Sequence, residues 1–219
     1  MTSSFLRPAI LCALVAAGVA GCGGKATFEI TGNVAGLTYP GLVLTETFSG
    51  QTITLTDTTK TTFAFPNTIE YGAQYNVVVR TTPSGQPPHL QCLLDAGSTG
   101  TAGLRASIIV GVNCTPVPHA IGGKLTLTST TGSYVGLQLI NGSNNQAPFA
   151  ITDVSQTVYA FPGISYNTPY GISILQQPTD KLTMCHLVPA VATTGATATQ
   201  VAGVMGDVDI AIDVVCAKP

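Results

Sequence analysis

The chain has 219 residues, of which only 8% are charged, and eight basic against ten acidic side chains leave a formal net charge of −2. Lys and Arg are few and unclustered, which excludes the basic surface that nucleic-acid binding needs. Gly, Thr, Val and Ala are abundant and Trp is absent, a composition that suits a secreted β protein with a hydroxyl-rich solvent face. In chain order, residues 1–7 carry one positive charge, on Arg7, and an apolar run follows over 9–20. That run is too short to span a bilayer, which takes about 20 apolar residues. A charged start, a short apolar core and then small residues form the layout of a secretory signal, here residues 1–21.

The junction reads Val19-Ala20-Gly21-Cys22. It resembles a bacterial lipobox, with Val19 in place of the usual leucine. The resemblance implies cleavage before Cys22, a diacylglycerol on its sulfur and an acyl chain on its new amine. One buried acyl chain binds marginally, so three would make a durable anchor. Cys12 is the poorer candidate, because bulky Ile10 and Leu11 precede it. Gly23, not an acidic residue, follows the cysteine, which by analogy with proteobacterial sorting points to the outer membrane. Residues 22–26 then read as lipidated N-terminus and tether.

The remaining chain is written twice, at a period of roughly 95 residues, too long for a solenoid unit. Phe63-Ala64-Phe65-Pro66 recurs as Tyr159-Ala160-Phe161-Pro162, and Gly41-Leu42-Val43-Leu44 as Gly136-Leu137-Gln138-Leu139. Tyr71 and Tyr75 recur as Tyr166 and Tyr170. Each copy carries a proline turn (Thr82-Pro83-Ser84-Gly85 and Gln177-Pro178-Thr179-Asp180), then a cysteine, then an alternating strand that ends in a second cysteine. Short runs rich in Val, Ile, Thr and Tyr, bounded by Gly, Pro, Asn or Ser, predict strands. They lie at 27–34, 41–47, 51–56, 61–65, 75–81, 90–94 and 106–114 in the first copy. In the second they lie at 121–129, 135–140, 149–152, 157–161, 170–176, 184–188 and 208–216, with 193–199 as an exposed loop. About seven short strands per copy read as a sandwich. The expected domains are 27–114 and 119–219, joined by Thr115-Pro116-Val117-Pro118, whose prolines should hold the copies apart end to end.

Cys12 leaves with the signal and Cys22 takes lipid, so Cys92, Cys114, Cys185 and Cys216 remain. An even number in an exported chain implies disulfides. Three pairings are open in principle, and if each copy folds alone the repeat selects Cys92–Cys114 and Cys185–Cys216. Each would contribute about 3 kcal/mol in the loop-entropy model.

The Phe-x-Phe-Pro and Tyr-x-Val-x-Val pattern resembles the Ig-like or prealbumin-like modules of bacterial surface proteins. It is also similar to an uncharacterised repeat of proteobacterial lipoproteins, in which a Gln-Pro turn precedes two cysteines. The resemblance implies an all-β fold of two tandem Ig-like β-sandwiches, each with one disulfide. It speaks to fold and not to function, because such sandwiches host many roles.

No phosphate loop, no nucleophile elbow and no serine triad is legible, and His89, His119 and His186 lack the spacing of a zinc site. Asp207, Asp209 and Asp213 alternate with Val208, Ile210 and Ile212, which should put the three carboxylates on one strand face. That face could hold Ca²⁺. We read it instead as a solvated face whose like charges deter edge pairing. The recurring aromatics Phe63, Phe65, Tyr75, Tyr159, Phe161 and Tyr170 read as core. The expectation is a non-catalytic envelope lipoprotein without cofactor or metal. It would partner the membrane through its anchor, face periplasm or outside, and act as a structural, adhesive or interaction module. The alternative is an envelope protein that binds a small molecule or glycan.

Overall fold

The computed structural model describes residues 25–81, 84–189 and 198–218. The chain is all-β. Its first repeat comprises β1 (Thr27–Phe28), β2 (Ile30–Ala35), β3 (Leu42–Glu46), β4 (Thr52–Leu55), β5 (Thr62–Ala64), β6 (Ile69–Glu70), β7 (Gln74–Val79), β8 (Leu90–Leu94), β9 (Thr99–Thr101) and β10 (Ile108–Pro116). The second comprises β11 (Pro118–Leu127), β12 (Gln138–Asn141), β13 (Phe149–Ala150), β14 (Val158–Ser165), β15 (Pro169–Gln176), β16 (Met184–Pro189), β17 (Gln200–Val204) and β18 (Ile210–Ala217).

The two repeats have one topology. Sheet order β5-β2-β10-β8 in the first matches β14-β11-β18-β16 in the second, and β4-β3-β7-β9 matches β13-β12-β15-β17. In each repeat the opening and closing strands pair in parallel, β2 with β10 and β11 with β18. The small pair β1–β6 closes the end where the chain enters.

Strand alternation builds each core. On β10, Ile108, Val110, Val112 and Cys114 point inward and are buried. Opposite them, Leu42, Leu44 and Val77 close the first core. In the second, Ile121, Ile212 and Val214 meet Leu137, Leu139 and Ile172. Each such aliphatic side chain contributes roughly 1.5–3 kcal/mol by leaving water. The layout is that of two tandem Ig-like sandwiches. It differs from antibody domains, where the bridge joins the two sheets, in placing each disulfide between neighbouring strands of one sheet.

Three strands escape the sequence pattern. β6 has two residues, too few to show a period, and β9 and β17 carry glycines, Gly100 and Gly203. Those glycines are required by close packing. A Cβ on Gly100 would lie 2.7 Å from the Tyr75 hydroxyl, and one on Gly203 would lie 2.6 Å from that of Tyr170. A tyrosine thus covers the glycine opposite it on the edge strand in both repeats.

The linker also differs from expectation. Pro116 ends β10 opposite Leu90, and Pro118 opens β11 opposite Ser165. A strand tolerates proline at its ends, where no ladder donor is lost. Only Val117 remains between the strands, and its N–H donates to the His89 carbonyl at 2.9 Å. The repeats are therefore joined closely, not spaced apart. Val208, expected to point inward, is 70% exposed because β18 starts only at Ile210. Of the loop read at 193–199, residues 193–197 lie outside the described residues, and Ala198 bridges to Leu187. Thr82 and Pro83 of the first proline turn also lie outside them.

Candidate functional site

Cys92 is bonded to Cys114 and Cys185 to Cys216, at sequence separations of 22 and 31. β8 and β16, which carry the first cysteine of each pair, are edge strands. A glutamine side chain replaces the missing neighbour strand. The Cys92 N–H donates to Gln86 Oε1 at 2.7 Å, and Gln86 Nε2 donates back to the Cys92 carbonyl at 3.0 Å. Gln177 and Cys185 do the same at 2.8 and 3.0 Å. An amide carries one donor arm and one acceptor arm, so it satisfies both backbone groups of an edge residue. This gives a physical role to the Gln-Pro sequence before each cysteine pair.

At the ends of the matched strands β3 and β12 each repeat buries a polar side chain, Glu46 or Asn141. Glu46 accepts from the Phe48 N–H at 3.1 Å, the Ser49 N–H at 2.6 Å, the Ser49 hydroxyl at 2.5 Å and the Asn76 N–H at 3.1 Å. Burial acts to raise its pKa, but the donors from Ser49, Phe48 and Asn76 together outweigh it and hold the carboxyl below its ordinary value. Asn141 Oδ1 accepts from the Gly171 N–H at 3.0 Å, and its amide donates to Gln146. Sequence reading missed this pair. The signal was there, a polar residue ending a matched apolar strand, but Glu and Asn do not look alike.

The largest aromatic assembly outside the cores lies between the repeats. The His89 ring stacks on Tyr166, with centroids 3.4 Å apart and planes at 7°. Tyr39 approaches the His89 ring edge-on at 4.7 Å. His89 Nδ1 also bonds the Asp207 carboxylate. Tyr39 and His89 come from the first repeat, Tyr166 and Asp207 from the second. His89 has φ of +62°, a left-handed conformation uncommon outside glycine and held only where surroundings impose it. No spacing in the sequence brings these four residues together.

The three aspartates read as a face do not converge. Asp207 bonds His89. Asp209 accepts from the Ala120 N–H at 2.9 Å and faces His119 Nδ1 at 3.6 Å. Asp213 accepts from the Lys124 N–H at 2.8 Å. Each carboxylate serves a separate backbone or ring partner, and no group of three or more His, Cys, Asp or Glu able to hold a metal occurs among the described residues. Phe63, Phe65, Tyr75, Tyr159 and Phe161 are buried in the cores and Tyr170 packs against the second, so they form no exposed platform. The Tyr159 hydroxyl donates to the Ile212 carbonyl at 2.6 Å, and burial, with Asp213 nearby, pushes its pKa up. Cys22 lies outside the described residues. Among the described residues no helix is long and apolar enough to cross a membrane.

No protein-family model matches the chain, and no curated protein matches it in sequence. Among solved structures, the major pilin from Streptococcus pyogenes is similar over 89% of this chain and 99% of its own, at 12% identity and a TM-score of 0.31. GBS52, the minor pilin of Streptococcus agalactiae, is similar over 88% of this chain and 96% of its own, at 8% identity and a TM-score of 0.29. At those values the likeness carries no argument about what this chain does.

Proposed function

We propose that the protein is a non-catalytic lipoprotein of the bacterial envelope, anchored through Cys22, whose repeats at 27–114 and 119–219 act as a structural, adhesive or interaction module. The observation that carries this reading is the cysteine pairing. Cys92–Cys114 and Cys185–Cys216 form within the repeats, as an oxidising, exported setting allows. With Cys12 removed in the signal, Cys22 is the cysteine left over, and it sits where the lipid belongs. The buried side chains are apolar apart from a few hydrogen-bonded groups such as Glu46 and Asn141, as expected of a scaffold.

The test is Cys22→Ala in a bacterium that processes lipoproteins. Wild-type protein should sediment with membranes and float with lipid on a gradient. The variant should be released into the soluble envelope fraction. A Cys22→Ala protein that still floats would remove the anchor from this reading.

A further inference from the structure

The repeats are joined head to tail, so each presents the same two ends. The end of the second repeat that receives the first is marked by Tyr166. It precedes Asn167, whose N–H donates to the Met205 carbonyl at 2.9 Å, and Asp207 follows in the adjoining loop. The matching end of the first repeat is marked by Tyr71. It precedes Gly72, whose N–H donates to the Ala102 carbonyl at 2.9 Å, and Leu104 and Arg105 follow in the adjoining loop. Tyr166 is covered by His89. Tyr71 is 60% exposed and Leu104 79% exposed.

That uncovered end is where the chain enters. The Tyr71 N–H donates to the Ala26 carbonyl at 2.7 Å, and Lys25 Nζ lies 3.2 Å from the Glu70 carboxylate. Two residues, Gly23 and Gly24, separate Lys25 from Cys22, and the three steps between them reach about 10 Å at full extension. An acylated Cys22 would therefore pin this end of the sandwich within about 10 Å of the bilayer surface, and β10 then runs away from it toward the second repeat.

We infer that the Tyr71–Leu104 end of the first repeat, flanked by Lys25 and Arg105, rests on the phospholipid headgroup surface and fixes how the two sandwiches stand on the membrane. The chemistry matches that occupant. Tyrosine places an apolar ring and a polar tip at the headgroup level. An exposed leucine gains by entering the acyl boundary. Arg105 can meet phosphates, and Lys25, paired with Glu70, keeps that carboxylate from repelling them. The inference rests on the Cys22 anchor.

The absence of Trp from the chain gives a direct probe. Full-length lipidated Leu104→Trp and, at the opposite end of the second repeat, Leu182→Trp would be reconstituted into phosphatidylethanolamine–phosphatidylglycerol vesicles with and without brominated acyl chains. Both positions are exposed, so both variants should fold. Expected is a blue shift and loss of most emission at Leu104→Trp with brominated lipid, and neither at Leu182→Trp. Protein that floats with vesicles while its Leu104→Trp emission is unchanged would overturn the inference and leave the anchor standing. Protein that does not float would remove the anchor, and this surface with it. A blue shift at Leu104→Trp that grows with protein concentration in lipid-free detergent would assign the face to a second copy of the chain and overturn the membrane reading.

Discussion

At matched positions the first repeat buries Glu46 where the second buries Asn141, and the first exposes Tyr71 where the second covers Tyr166 with the ring of His89. The framework around these positions is shared: sheet order, parallel closing strands, the cysteine bridge, its glutamine clamp, and the tyrosine over the edge glycine. The shared features are what a sandwich of this size needs in order to close. The differences separate an ionisable buried group from a neutral one, and an exposed end from a covered one.

Cutting the matched cores gives the largest expected effects. Leu44→Ala and Leu139→Ala remove equivalent, fully buried side chains, each at about 2–5 kcal/mol. If the repeats are independent domains, calorimetry should show each variant lowering one transition and sparing the other; a single transition that moves as a whole for both would break the comparison. Replacing one cysteine pair by serine should cost about 3 kcal/mol in the loop-entropy model. Loss of the Cys185–Cys216 bridge should weigh slightly more than loss of Cys92–Cys114, because it closes the longer loop, 31 against 22. Peptide mapping without reductant checks the pairing itself, and a bridge between repeats would refute the two-domain reading.

Glu46 sharpens the contrast. Glu46→Gln keeps the shape but weakens four charge-assisted bonds, and Glu46→Ala strands their donors at about 1–3 kcal/mol. The folded-state pKa of Glu46 is lowered, so its carboxylate contributes fully above the ordinary carboxylate range, and the contribution is lost as pH falls through the lowered value. The stability gap between wild type and Glu46→Gln should therefore narrow on acidification. Asn141→Asp should do the reverse in the second repeat: a buried carboxylate there would meet one donor, the Gly171 N–H, and the Gln146 Oε1 acceptor, so that variant should lose stability as pH rises. The smallest effect belongs to the junction. His89→Ala removes a stacked ring pair worth about 0.5–1.5 kcal/mol and the bond to Asp207. Small-angle scattering should show a broader range of angles between the repeats, and an unchanged profile would show that the Val117 connection alone holds them.

Much of this fold is legible in the sequence because it repeats. Alternating runs such as 106–114 and matched pairs such as Leu42/Leu137 give the strands, and the doubled cysteines give the bridges. The short strands are not legible, since β6 is too brief to show a period and β9 carries a glycine where a strand former is expected. The junction is the least legible part. Tyr39, His89, Tyr166 and Asp207 meet only because two units stack, and single-repeat patterning holds no trace of that. The prolines at 116 and 118 misled for a definite reason: the fold uses them as strand ends, where a missing N–H costs nothing.

Because β2 and β10 run in parallel, as do β11 and β18, the chain enters each repeat at one end and leaves at the other. A pull between the entry of the first repeat and the end of β18 would load both ladders lengthwise. Their hydrogen bonds would then resist together in shear instead of opening one at a time. Each bridge ties the closing strand of that line, β10 or β18, to its neighbour, β8 or β16. After a ladder ruptures the bridges would still withhold the segments between Cys92 and Cys114 and between Cys185 and Cys216 from extension. Under tension the protein would behave as a short tether that yields in two steps and never pays out its full length.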